Sequence, residues 1–350
     1  MVDGVGDHVP RRLEIVGAPS TAGAYAPGQE KAPDAYRAAG LIGLLEERGI
    51  AVTDRGDVPG FRWRIDREHM RAMNADAVAD VARAVADQVA AGLSDGSAML
   101  VLGGDCTVEL GTVAGATRGT ENVGLVYIDY DTDMNTPLSV EDGALDWMGV
   151  AHLLGIPDTV PSLAGIGPRT PMLRPDQVLL FANGSSTGFE RRTIDELGIQ
   201  EVQLPQVKAD PAGAARGVVD GWARRFERLL VHVDADVLDF LDFPIAEETR
   251  RYRGLRFEQL VAVLRELVMA PNWTTLTICE VNPDHDPDGS SMLRLSEALA
   301  DVLAGAFAGA GGERWAAAAE DPGAPARPRD PQAARQRGVA HRVRRRPEGS

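Results

Sequence analysis

The chain is poor in the residues that staple, anchor or target a protein. It has two cysteines, Cys106 and Cys279, in 350 residues. Two cysteines cannot make a disulfide scaffold, and a chain of this length does not need one. The start, Met1-Val-Asp-Gly-Val-Gly-Asp7, has no basic segment followed by an apolar core, so no secretory leader is expected. No run reaches the roughly eighteen apolar residues of a membrane helix. Positive charge is also short: the formal net charge is −16, which disfavours nucleic acid as a partner. A reducing cytoplasm, no nucleic acid and no membrane are the expectations. A homo-oligomer is compatible with all of them.

What is present is ordinary globular material, 44% hydrophobic and 25% charged. Short apolar runs alternate with longer stretches of helical period. Strands are expected at Leu13–Gly17, Ala98–Leu102, Gly124–Ile128, Leu163–Ile166, Val178–Phe181, Leu229–Val233 and Leu276–Val281. Rich in Val, Ile and Leu with little alternation, they read as strands buried on both faces. Helices are expected at Ala35–Glu47, Ala75–Ala91, Ala214–Arg228, Phe257–Met269 and Ser291–Ala306. This alternation predicts an α/β fold, a mainly parallel sheet with helices on both faces. In such sheets ligands bind at the carboxyl ends of the strands. Residues 1–310 read as one domain. From Gly311 to Ser350 the chain turns Ala-, Pro- and Arg-rich without apolar periodicity, and reads as a disordered basic tail.

Acidic clusters close several strand candidates. Asp129-Tyr-Asp131-Thr-Asp133 follows one apolar run and Asp234-Ala-Asp236 another; Asp105-Cys106 and Glu280 follow two more. Carboxylates gathered at neighbouring strand ends repel one another unless cations hold them. On an extended strand end, Asp129, Asp131 and Asp133 share one face. A lone Asp-x-Asp is as readily a solvated acidic loop. An EF-hand loop is excluded, because Met134 stands at the turn glycine and Val140 at the terminal Glu. Two such strand ends can share two metals, with Asp129 and Asp234 bridging. Metals about 3.5–4 Å apart can hold a hydroxide at neutral pH.

Gly103-Gly-Asp-Cys106, Asp129-Tyr-Asp-Thr-Asp133, Val233-Asp-Ala-Asp-Val-Leu-Asp239 and Glu280-Val-Asn-Pro283 resemble, in order, the four motifs of the ureohydrolases. This is the arginase, agmatinase and formimidoylglutamase family, whose motifs read GGDH, DAHxD, DxDxxDP and ExNP. Ile15-Val-Gly-Ala-Pro19, Ala39-Gly-Leu41 and Asp54-Arg-Gly-Asp57 fit its start, and Asp133–Gly143 resembles its arginase branch. The resemblance runs from about Leu13 to about Ala308. It implies a three-layer α/β/α sandwich, a dimanganese cluster, and a small cationic guanidino substrate. It also implies metal roles for Cys106, Asp129, Asp131, Asp133, Asp234 and Asp236. Cys106 and Asp133 would complete one metal, Asp131 and Asp236 the other. Glu280 would face the substrate guanidinium, with Cys279 pointing away into the core.

Several positions depart from the family. Cys106 and Asp131 stand where it has His. A cluster of five Asp and a thiolate would carry more negative charge than two divalent ions neutralise, and would be a weaker Lewis acid. The soft thiolate would shift preference toward Zn or Fe, although Mn is the family metal. Asp146 stands at a catalytic His position; it is expected either as an acid–base group or as a helix N-cap before Trp147–Leu154. His152 is expected to pack. Among the amino-acid-binding positions, Asn135 and Ser139 match in type, whereas Val140 and Asp142 replace hydroxyls. Asp142 would suit an amine. The acid expected after Gly165-Ile-Gly167 is absent; Arg169-Thr170 is there. Glu247, Glu248 and Arg250 would reshape the pocket rim. The leading expectation is a dinuclear amidinohydrolase acting on a guanidino or N-hydroxyguanidino compound, with Nω-hydroxy-L-arginine as the specific guess. The alternative is a non-catalytic arginase-fold protein that binds metal or ligand in a regulatory role. Glycosyltransferase and aspartyl-phosphatase readings of Asp-x-Asp leave Glu280 or the Gly103-Gly-Asp motif unexplained, or lack the needed Thr or Val.

Overall fold

The computed structural model describes residues 12–309, so the expected tail lies outside the described residues. Within them, eight strands form one sheet. They are β1 (Leu13–Gly17), β2 (Val52–Asp57), β3 (Ala98–Leu102), β4 (Val123–Ile128), β5 (Val178–Phe181), β6 (Gln200–Val202), β7 (Arg228–Asp234) and β8 (Trp273–Cys279). Every pairing is parallel, in the order β2-β1-β3-β8-β7-β4-β5-β6.

The helices are α1 (Ala32–Ala38), α2 (Leu41–Glu47), α3 (Ala75–Ser94), α4 (Val108–Ala116), α5 (Gly149–Leu154), α6 (Pro161–Ala164), α7 (Gly188–Leu197), α8 (Leu204–Ala209), α9 (Pro211–Gly217), α10 (Phe257–Leu267) and α11 (Ser290–Gly309). Strand side chains alternate between two separate cores, as a period of two requires. Leu229, Val231 and Val233 of β7 join residues of α1, α2 and α8 to α11. Leu230 joins the other face, with residues of α3 to α7. The result is a three-layer α/β/α sandwich. Each Leu- or Val-sized side chain withdrawn from water contributes roughly 1.5–3 kcal/mol. A one-residue slip of a strand would exchange the two faces, so register is firmly set.

Three expectations change. Leu163–Ile166 is not a strand: Pro161 opens the short helix α6, and Gly165 ends it. A four-residue apolar run does not distinguish strand from buried helix. The helix expected at Ala35–Glu47 is two helices, broken at Gly40, which has φ 80°. The Ala214–Arg228 stretch is α9 followed by a π turn over Val218–Trp222 and a 3-10 turn, and Arg228 already belongs to β7. Edge strands β2 and β6 are polar and partly exposed, which hid them from apolar patterning.

Candidate active site

Strands β3, β8, β7 and β4 are consecutive neighbours at the centre of the sheet. Because all are parallel, the segments after them meet at one edge. Those segments carry Asp105-Cys106, Glu280, Asp234–Asp236 and Asp129–Asp133. They line a cavity of about 460 Å³. Eleven carboxyl groups face it: Asp129, Asp131, Asp133, Asp142, Asp146, Glu190, Asp234, Asp236, Glu247, Glu248 and Glu280. Arg250 is the one cation among the described lining residues.

Oxygens of Asp129, Asp131 and Asp236 lie within 4.8 Å of one another. Asp129 Oδ1 accepts the Asp131 N–H at 2.8 Å, and Asp234 Oδ1 accepts the Asp236 N–H at 2.6 Å. These turns tie each carboxylate to its own backbone. Asp129 Oδ2 and Asp236 Oδ1 are buried with no hydrogen-bond partner in the protein. Buried acceptors left without donors are costly, and a cation would satisfy them. Cys106 Sγ lies 3.1 Å from Asp234 Oδ2. Asp133 lines the same cavity, and its Oδ2 accepts the Tyr127 hydroxyl. The donor set of carboxylates and one sulfur therefore fits divalent ions.

Burial pushes Asp129, Asp133 and Asp234 well above the usual carboxylate range. The next contributions are Asp236 for Asp129, Asp129 for Asp133, and Asp236 for Asp234. Burial raises Asp236 to about 6, opposed by the Arg250 charge. Each of these carboxyls therefore binds a proton more readily than a free carboxylate does. Asp133 and Glu280 also have left-handed backbone, at φ 50° and 60°, uncommon for non-glycine residues.

Glu280 is held by two donors. Cys106 N–H gives to Oε1 at 3.0 Å, and Gln29 Nε2 gives to Oε2 at 2.8 Å. Burial, then Asp146 and Asp105, still raise its pKa well above normal. Asp146 lines the cavity, and its Oδ1 accepts the adjacent Trp147 N–H at 2.9 Å. It is not an N-cap; Leu145 precedes the 3-10 turn and Met148 precedes α5. Burial and then Asp105 push the Asp146 carboxyl up.

Cys279 is fully buried in the core, as expected, and does not line the cavity, but its sulfur meets Cys106 from the core side. The ligand atoms of Cys279, Cys106 and His232 lie within 4.8 Å of one another. The left-handed turn at Glu280 breaks the alternation of β8, so residues 279 and 280 both reach Cys106. His232, which the sequence reading passed over, places Nε2 3.4 Å from Cys106 Sγ and Nδ1 3.4 Å from Glu109 Oε2. Its ring stacks on Tyr127 at 4.1 Å. His152 packs as expected: it is buried, accepts the Val160 N–H at 3.1 Å, and has its pKa lowered to about 4 by burial.

The distal wall differs from expectation. Asn135 Oδ1 accepts from Ser139 Oγ at 3.1 Å and Thr187 Oγ1 at 3.2 Å, and neither Asn135 nor Ser139 is among the lining residues. Asp142 is at the rim and accepts the Ala144 N–H. Arg169 faces Glu121 instead, because residues 165–167 do not follow a strand. The strand that leads into the cavity is β5; Ser185 and Thr187 come from its connection to α7 and Glu190 from the first turn of α7. Thr187 and Glu190 form a capping box, and Glu190 also accepts the Met134 N–H at 3.0 Å. Thr-x-x-Glu after an apolar run was the signal that could have located them.

Fold and site together define a three-layer α/β/α protein with a metal-ready carboxylate cavity on its central strands. The family model described as the arginase family matches residues 11–305. The chain is 31% identical over 276 residues to the arginase of Bacillus caldovelox, covering 77% of this chain and 91% of that one. It is 30% identical over 304 residues to the arginase of Agrobacterium fabrum, covering 84% and 91%. The solved structure of the Bacillus caldovelox arginase matches with a TM-score of 0.75 at 27% identity, covering 85% of this chain and 98% of that one. Proclavaminate amidino hydrolase from Streptomyces clavuligerus shares the fold, with a TM-score of 0.65 at 18% identity over 85% and 92%. The chain belongs to the arginase family, and with it to the hydrolases acting on amidino C–N bonds.

Proposed function

We propose that the chain is a metal-dependent amidinohydrolase that cleaves a C–N bond of a small cationic guanidino compound. The observation that carries this is the cavity of eleven carboxyl groups, two of whose buried oxygens have no partner in the protein. Cys106, Asp129, Asp131, Asp133, Asp234 and Asp236 would hold two divalent ions. Manganese is expected, with zinc or iron favoured to the extent that the Cys106 sulfur engages. When bound, the metal pair would supply an activated water for hydrolysis.

The chain's own residues account for substrate handling. Glu280, fixed by Gln29 and the Cys106 amide, would bind the guanidinium through charge-assisted hydrogen bonds. Asp146, whose carboxyl is pushed above its ordinary range by burial, would serve as the acid that gives a proton to the departing nitrogen. Asp142, Glu190, Glu247 and Glu248 favour an amine at the distal end. A distal carboxylate would meet Ser185, since Asn135, Ser139 and the Thr187 hydroxyl are bonded to one another.

An N-hydroxyguanidine is less basic than a guanidine and less protected by resonance when neutral. It tolerates a weaker nucleophile and the missing catalytic imidazole. Nω-hydroxy-L-arginine is therefore the leading substrate, and two free buried thiols suit a cytoplasmic setting. The test is urea and hydroxyurea release by manganese-loaded protein from arginine, Nω-hydroxyarginine, agmatine and N-hydroxyagmatine. The N-hydroxy compounds should exceed their parents in kcat/KM by about tenfold or more, a barrier difference of about 1.4 kcal/mol. Loaded protein that releases neither product from any of them overturns the proposal.

A further inference from the structure

Arg250 is built into the cluster as closely as its metal-ligand candidates. Its Nη2 lies 2.6 Å from Asp131 Oδ2 and its Nη1 3.2 Å from Asp236 Oδ2. The guanidinium lies over the Tyr130 ring at 4.3 Å. Its backbone carbonyl accepts the Phe240 N–H at 2.9 Å, which pins the loop that carries it. That loop is closed at its base by Asp239 N to Leu255 O at 2.7 Å and tied to the site by Glu247 N to Glu280 O at 2.8 Å. The arginine side chain is 20% exposed, and its partners Asp131 and Asp236 are 30% and 11% exposed. This is a forked, partly desolvated contact, unlike a surface ion pair.

We propose that Arg250 is a resident cation of the cluster, sharing Asp131 and Asp236 with the second divalent ion and weakening that ion's binding. The inference rests on the metal-dependent reading above. Two observations carry it. First, the guanidinium takes one oxygen from each of two carboxylates in the only acid trio whose oxygens converge within 4.8 Å among the described residues. Divalent ions need several such oxygens, so the two cations compete for one ligand set. Second, the added positive charge sits against Asp131, the acid standing where the family motif has a neutral imidazole. Asp131 and Arg250 thus act as a neutral pair, which offsets the one negative charge that Asp131 adds to the cluster. A planar guanidinium holds two carboxylates in a fixed fork, whereas an ammonium meets them only as a point charge on a flexible stem.

Metal-stripped wild type, R250Q, R250K and D131N/R250Q are titrated with manganese, counting bound ion and recording the electron paramagnetic resonance spectrum. Thermal unfolding in chelator checks that each is folded. Wild type should bind a tight and a weak ion. R250Q should tighten the weak one by about tenfold or more, the effect of removing one nearby charge, with the tight one altered less. Exchange-coupled manganese pairs should then appear at lower loading. R250K should tighten the weak site by a smaller factor, and adding D131N should shrink the R250Q gain. Unchanged or weaker second-ion binding in folded R250Q and R250K, beside normal metal binding in wild type, overturns the role of Arg250 alone. Absence of bound metal in every protein overturns the function proposal with it.

Discussion

At the scale of single residues, the centre is a set of exchanges whose neighbours explain them. By the sequence resemblance Cys106 stands where the family motif has an imidazole, and its sulfur lies beside the imidazole of His232, the sulfur of Cys279 and the carboxylate of Asp234. The carboxylates at strand ends were legible in the sequence because Asp-x-Asp after an apolar run is a local pattern. His232, Gln29 and Cys279 were not, because their roles depend on contacts across the sheet or on a backbone reversal at Glu280. If the sulfur is a ligand, removing it should change metal preference more than metal capacity. Cys106→Ser, nearly the same size and shape, should lose about tenfold or more in zinc affinity and distinctly less in manganese affinity. Competitive metal titration reads this directly, and equal losses for the two ions would count against a ligating sulfur.

At the scale of elements, central strands were readable and edges were not. β3, β4, β7 and β8 are buried along nearly their whole length and carry no competing signal. β2 contains Asp54-Arg-Gly-Asp57, noticed as a motif but too polar to look like a strand. The strand β5 was expected at Val178–Phe181, but the distal acid was sought after Gly165-Ile-Gly167, which follows the short helix α6, and not at Glu190. Helix packing holds these ends in place. α4 lies so close to α3 that a Cβ on Gly111 would fall 2.5 Å from Ala82 O, and on Gly115 2.6 Å from Ala86 O. Both are backbone atoms and cannot move aside cheaply. Gly111→Val should therefore destabilise the protein by about 2–4 kcal/mol through forced separation of the two helices. Urea unfolding measures it; a loss below about 0.5 kcal/mol would show that α3 and α4 are not held by this contact.

For the molecule as a whole, acidity is concentrated where cations are needed. Carboxyls of Asp129, Asp133, Asp234 and Glu280 sit well above their ordinary pKa, and Asp236 is raised to about 6, burial being the first cause in each case. A folded state that holds protons more tightly than the unfolded chain loses stability as pH rises. In metal-free protein the loss begins above the usual carboxylate pKa near about 4 and continues through Asp236 at about 6 and beyond. Metal binding displaces those protons and so becomes more stabilising as pH rises. Thermal unfolding should show a higher midpoint at pH ~5.5 than at pH ~8 without metal, and a larger manganese-induced rise at the higher pH. The reverse order in both would contradict the electrostatic account.

The same concentration of carboxylates underlies the central claim, that this cavity breaks guanidino C–N bonds when loaded with metal. Its most direct test is a manganese titration of stripped protein with Nω-hydroxyarginine present, following hydroxyurea and bound metal together. The account predicts no product from stripped protein and release that rises with bound metal to a plateau. A fully loaded protein that releases no hydroxyurea, and no urea from arginine, would contradict it.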